Sequence, residues 1–153
     1  MPLVSLASDN PFLDGRQSQR ALTIRSGVER YFLEAGWATL AELTLPTGRR
    51  ADLVALSSKG QICIVEIKSS IADMKADTKW PEYLLHSDEL VFATLPDVPV
   101  EIFPDDAGFM LADAHGAELI RPAPVAKIPA ARRKAVHLIF ARASAQRLAR
   151  CCA

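Results

Sequence analysis

The stretch Gln61-Ile62-Cys63-Ile64-Val65-Glu66-Ile67-Lys68 constrains the fold more than any other part of the chain. Side chains alternate along a strand, so Ile62, Ile64, Glu66 and Lys68 share one face and Cys63, Val65 and Ile67 the other. A strand apolar on both faces is central and buried, as in a sheet covered by helices. A carboxylate and an ammonium at the end of such a strand are costly unless they pair or engage a metal.

The flanking sequence supplies the other elements. Arg16 to Ala35 is helical, with Ala21, Val28, Phe32 and Ala35 on one stripe and Gly36 as a stop. Thr39 to Leu45 and Arg50 to Leu56 read as strands separated by Pro46-Thr47-Gly48. The short turn Ser57-Ser58-Lys59-Gly60 makes Gln61 to Lys68 the second arm of a hairpin. Ser70 to Ser87 is helical with a break expected near Lys79-Trp80, because Pro81 suits a first helical position rather than an interior. Glu89 to Leu95 is a fourth strand; short strands at Gly108–Ala112 and Glu118–Arg121 form a small hairpin. A last helix spans Ala130 to Ala149, with Val136, Ile139, Phe140, Ala143 and Leu148 as its apolar stripe. The order is a mixed α/β layout in one domain, residues 16–153, preceded by a loose N-terminal arm, residues 1–15.

Half of the 153 residues are apolar, enough for one core. No apolar run spans a bilayer, and Met1 to Asn10 lacks the pattern of a signal peptide. Cys63, Cys151 and Cys152 fit no disulfide framework or zinc spacing, so a reducing, cytoplasmic setting (bacterial-type cytosol or nucleoid) is expected. The net charge of zero hides a partition. Residues 80–118 hold nine acids and no Lys or Arg, whereas residues 119–153 hold eight Lys/Arg and no acid. The basic tail can attract phosphates, and the acidic stretch could serve a protein partner.

Strand parity then gathers a site. Asp52, Val54 and Leu56 share a face, and a tight hairpin sets the start of the second strand beside the end of the third. Asp52 therefore lies beside Glu66 and Lys68. Two close carboxylates repel unless a cation neutralises them, and hard oxygen donors favour Mg²⁺ over zinc. Without a metal, the same three groups would be a buried ion cluster.

This arrangement resembles the PD-(D/E)xK nuclease superfamily, with Ala51-Asp52 and Glu66-Ile67-Lys68 as the motif and Ala51 in place of its proline. The wider chain is similar to the MmcB-related DNA-repair proteins. That likeness rests on Arg49-Arg50-Ala51-Asp52, Glu66-Ile67-Lys68-Ser69-Ser70, the stretch from Asp77 to Tyr83, Gly108-Phe109-Met110, Gly116-Ala117-Glu118 and the stretch from Ala131 to Ala135. The resemblance implies a restriction-endonuclease-like core (α-β-β-β-α-β, a mixed central sheet flanked by helices), with an added β-hairpin and C-terminal helix. It implies a metal-dependent deoxyribonuclease of DNA repair, a hydrolase acting on phosphodiester bonds. Asp52, Glu66 and the Ile67 carbonyl are then expected to hold Mg²⁺ or Mn²⁺. Lys68 would orient the nucleophile, and Glu29 on the first helix would supply a further acid or place a second metal. Arg49, Arg50, Lys75, Lys79, Trp80, Arg132, Arg133 and Lys134 are candidate DNA contacts, and other repair proteins are candidate partners of residues 80–118. Trp80 reads more readily as core or a lid than as a DNA contact, Glu42 as an exposed strand residue, and His86, His115 and His137 show no ligand spacing. The alternative function is a non-cleaving DNA-binding or repair-partner module of the same fold.

Overall fold

A computed structural model describes residues 15–152, with side chains from Gln19 onward. The expected N-terminal arm lies outside them except for Gly15. The elements are α1 (Gly15–Glu34), β1 (Ala38–Thr44), β2 (Arg50–Leu56), β3 (Ile62–Ile67), α2 (Ile71–Ala76), β4 (Glu89–Thr94), β5 (Gly108–Ala112), β6 (Ala117–Arg121) and α3 (Ala130–Cys151). Short 3-10 turns occupy Trp80–Leu85 and Val100–Ile102. The six strands form one sheet in chain order. β1, β2 and β3 are antiparallel, β3–β4 and β4–β5 are parallel, and β6 returns antiparallel to β5.

Two apolar layers sandwich this sheet. On one side, α1 presents Ile24, Val28 and Phe32 to Leu53, Cys63, Val65, Val91 and Met110. The i, i+4, i+8 spacing of these three residues is the buried stripe of a helix. Ile24 therefore takes the place the sequence reading gave to Ala35, which lies past the helix end. On the other side, α3 presents Val136 and Phe140 to Val54, Ile62, Ile64, Leu90, Phe92 and Phe109. After Phe140 no α3 side chain is buried, and Leu148 is 65% exposed.

Two elements differ from expectation. The β5–β6 pair is no separate hairpin but the continuation of the main sheet. Gly108-Phe109-Met110 is buried on both faces and needs both helical layers. The helix after β3 ends at Ala76 rather than near Trp80. Ser70 caps its start by accepting from the Asp73 N–H, whereas Asp77 leaves the helix in an extended conformation. Its carboxylate accepts from Lys68 and from the Lys79 N–H.

Gly27 fixes the approach of α1 to the β5–β6 turn. A Cβ there would lie 2.1 Å from the Asp113 carbonyl oxygen and 2.4 Å from that of Gly116. Gly27→Ala should cost about 2 kcal/mol of stability, because backbone must move to admit a methyl group. Gly116→Ala, with open space around its Cβ, should melt like the wild type. Thermal denaturation of both variants is the check.

Candidate functional site

The site begins with a fault in the sheet. Along β1 and β2, Ala41 pairs with Leu53 and Leu43 with Ala51, but Glu42 and Asp52 between them form no ladder pair. Glu42 has φ +53°, a conformation that residues with a Cβ rarely adopt. Ala41 and Leu53 pack with the α1 layer, whereas Leu43 and Ala51 pack with the α3 layer. Regular alternation would put positions two apart on one face, so both strands slip by half a period at the same rung. Arg147 of α3 holds the fault by donating to the carbonyls of Ala41 and Glu42.

This corrects the parity argument. Asp52 does not simply continue the face of Val54; it sits at the slip, where the β2–β3 ladder has ended at Leu53↔Val65. Beyond that rung the two acids take over the ladder. Asp52 Oδ2 accepts from the Ile67 N–H at 2.8 Å, and Glu66 Oε1 accepts from the Asp52 N–H at 3.0 Å. The carboxylates thus lie crosswise in the gap between the strands.

Their electrostatics follow from that placement. Glu66 is 4% exposed. Burial, and then the neighbouring Asp52 charge, push its carboxyl up to about 9. Burial also raises Asp52, while the Ile67 N–H and Lys68 oppose the shift. Lys68 is buried, yet its Nζ is 2.6 Å from Asp77 Oδ2. The Trp80–Leu85 turn closes the α3 side of the site. Tyr83 donates its hydroxyl to the Arg50 carbonyl at 3.1 Å, and Trp80 packs edge-on against Phe92. The opening lies on the α1 side, a cleft of about 180 Å³ lined by Ala21, Leu22, Arg25, Glu42, Asp52 and Ile67.

The donor chemistry fits a hard divalent cation. Two carboxylates confined together each accept a single backbone N–H, leaving oxygen lone pairs for an ion, and the cation would relieve their mutual repulsion. Among the described residues no three Asp, Glu, His or Cys side chains cluster as a metal cage. Such sparse ligation suits Mg²⁺, which keeps several waters and completes its shell with substrate phosphate.

The other expected residues distribute unevenly. Glu29 does not join the carboxylates; it forms an i, i+4 pair with Arg25 at 3.3 Å and does not line the cleft. Arg49 is ion-paired with Glu82, whereas Arg50, Lys75 and Lys79 are exposed. Trp80 is half-buried core, the other reading its sequence allowed. Arg133 is a structural cation, not an exposed DNA contact. It grips Asp88 in a bidentate pair, 2.5 and 2.6 Å, and donates to the Gly60 carbonyl at 3.0 Å. Arg132 and Lys134 are exposed beside it, at the end of the sheet away from Asp52 and Glu66. Most acids of residues 80–118 lie on the surface, and only Asp88 is buried. Glu82, Asp88, Asp97 and Asp105 are ion-paired, and Asp113 caps the β5–β6 turn.

Two residues of the site carry no role in the sequence: Asp77, whose partnership with Lys68 depends on where α2 stops, and Arg25, which reaches the cleft through helix phase. Glu42 is the exposed strand residue expected, and a positive φ that no pattern announces brings it to the cleft as well.

The family model of DNA repair protein MmcB-like matches residues 8–153. The chain belongs to the MmcB-like DNA repair family. An MmcB-like chain is thereby tied to DNA repair, and the carboxylate pair lies within the matched residues. No curated protein matches it. Among solved structures, a protein of unknown function from Silicibacter pomeroyi (SPO1766) is similar to this MmcB-like chain. The two share 38% identity over 85% of this chain and 89% of that one, with a TM-score of 0.82.

Proposed function

We propose that this MmcB-like protein is a Mg²⁺- or Mn²⁺-dependent deoxyribonuclease with a PD-(D/E)xK, restriction-endonuclease-like core. The observation that supports this reading is the crosswise pair, Asp52 on the Ile67 N–H and buried Glu66 on the Asp52 N–H, with Asp52 facing a cleft. Asp52, Glu66 and the Ile67 carbonyl would hold the ion. When bound, the ion lowers the pKa of water and offsets charge on the phosphate. By holding the ion, Asp52 and Glu66 would set where the reacting phosphate sits. Lys68 supplies positive charge beside them, and the exclusion of water strengthens its attraction for a phosphate. Asp77 orients Lys68 and keeps its ammonium at one place.

The test is nicking and cleavage of supercoiled, single-stranded, duplex and branched DNA by pure protein with and without Mg²⁺. Metal-independent cleavage, or none on any substrate, sinks the reading. Asp77→Asn should slow cleavage about 10–100-fold, the usual cost of losing a partner that orients a site residue. Because the Asp77 side chain is only 17% exposed and balances the buried Lys68 ammonium, the variant should also melt a few degrees lower, and cleavage is compared below that melting point.

A non-cleaving DNA-binding module is the second reading, and the observation that favours it is the engagement of Lys68 by Asp77. Such a module should bind DNA equally well with the Lys68 charge removed, and should never nick it.

A further inference from the structure

The α1-side cleft meets a second groove at Glu42, of about 360 Å³, between β1 and the last turns of α3. Its wall carries Arg142, Gln146, Arg147 and Arg150, and Glu42 is its single acidic lining residue. Among the described residues, neither Arg142 nor Arg150 pairs with any acid. Arg147 spends its donors on the Ala41 and Glu42 carbonyls but keeps its charge. The other basic cluster, Arg132 to Lys134, lies by Gly60 and Asp88 at the start of β3. Five residues of strand, about 16 Å at 3.3 Å per residue, separate that end from Glu66 and Ile67.

We infer that the C-terminal half of α3, through Arg142 and Arg150, is the track on which the DNA backbone lies as it enters the carboxylate cleft. This rests on the nuclease reading only in taking DNA as the ligand. Free guanidinium groups in a groove that adjoins the Asp52 cleft at Glu42 can hold flanking phosphates while one phosphate reaches Asp52. Apart from Glu42, the exposed lining of the groove is Arg142, Gln146, Arg150 and Thr44, whereas its apolar members Leu43, Ile139 and Ala143 lie in or against the core. A surface that is cationic and polar, without an aromatic or aliphatic anchor, suits a phosphate backbone rather than a protein partner. The lack of buried α3 side chains after Phe140 leaves this half of the helix free to lie along a strand of DNA.

The test is binding of a short labelled duplex in EDTA, read by anisotropy across a salt series, so that the result does not depend on cleavage. Arg142→Ala/Arg150→Ala should flatten the plot of log K against log salt by about 2, roughly one unit per lost phosphate contact. Arg132→Ala/Lys134→Ala should leave the slope unchanged, and Arg142→Lys/Arg150→Lys should restore most of it. All replaced side chains are exposed, and unchanged thermal melting confirms an intact fold. Equal losses from both alanine pairs, a loss confined to the 132/134 pair, or no DNA binding by the wild type overturns the track. Wild-type nicking in Mg²⁺, measured separately, decides the nuclease reading whichever way the track falls.

Discussion

Glu66→Gln should abolish metal-dependent nicking, by about 10³-fold or roughly 4 kcal/mol of transition-state stabilisation, while leaving the protein folded. The amide keeps an oxygen to accept from the Asp52 N–H but loses the charge that holds a cation. The two consequences can be separated because the wild-type carboxyl is held neutral in the absence of metal. Its folded-state value of about 9 exceeds an ordinary carboxyl, so its contribution to stability is full below about pH 4.5 and is lost as pH rises towards 9. Wild-type protein in EDTA should therefore lose melting temperature across that window, and Glu66→Gln should show a flatter profile. Mg²⁺ competes with the proton, so its stabilisation of wild type should grow with pH and vanish in the variant. Mg²⁺ raising the melting temperature of Glu66→Gln as much as that of wild type would refute the assignment of Glu66 as a ligand.

Asp88→Ala should be the most destabilising single change, about 3 kcal/mol and roughly 10 °C in melting temperature. Asp88 is 3% exposed and begins the chain's return into β4. One oxygen accepts from the Ile62 N–H at 2.9 Å, the other from the Ile128 N–H at 3.1 Å, and Arg133 bridges both. A single carboxylate thus ties β3, β4, the segment before α3 and α3 itself. Truncation leaves two buried N–H groups and a half-buried guanidinium without their acceptor. Burial by itself would raise this carboxyl, but Arg133 and the two N–H groups outweigh it and hold it below the ordinary range. The sign follows: the stability from this charge is full above about pH 4 and is lost as pH falls through the lower folded value. Asp88→Asn should lack that acid-side loss. Below its lowered melting point the variant should still nick DNA, since Asp88 lies at the far end of the sheet from Asp52.

Much of the fold was legible because it rests on local periodicity. Doubly apolar β3 required a covered sheet, and Pro81, Gly36 and the Ser57–Gly60 turn marked boundaries within a few residues of those observed. The closeness of Asp52 and Glu66 was also foreseen, since antiparallel pairing across a short turn fixes which residues face each other. The means by which they meet was not. Parity assumes an unbroken pleat, and the slip at Glu42 and Asp52 leaves no mark in composition because Glu is an ordinary residue to find in an edge strand. The roles of Arg133 and Lys68 were hidden for a different reason. Each is decided by a partner, Asp88 or Asp77, whose position depends on long-range packing, and a basic side chain reads alike whether it faces phosphate or a buried acid.

The slip at Glu42 and Asp52 has a consequence for how such a site can arise and be lost. A surplus residue in one strand alone would shift every later pair. One in each of two partnered strands, at the same rung, cancels, and Leu43↔Ala51 and Thr44↔Arg50 resume the old register. The sheet therefore carries the site as a spare rung that its pairing scheme does not need. Removing both residues together would leave a regular, well-paired hairpin with no acid in it, so this architecture permits relatives that keep the scaffold and shed the chemistry in one matched excision.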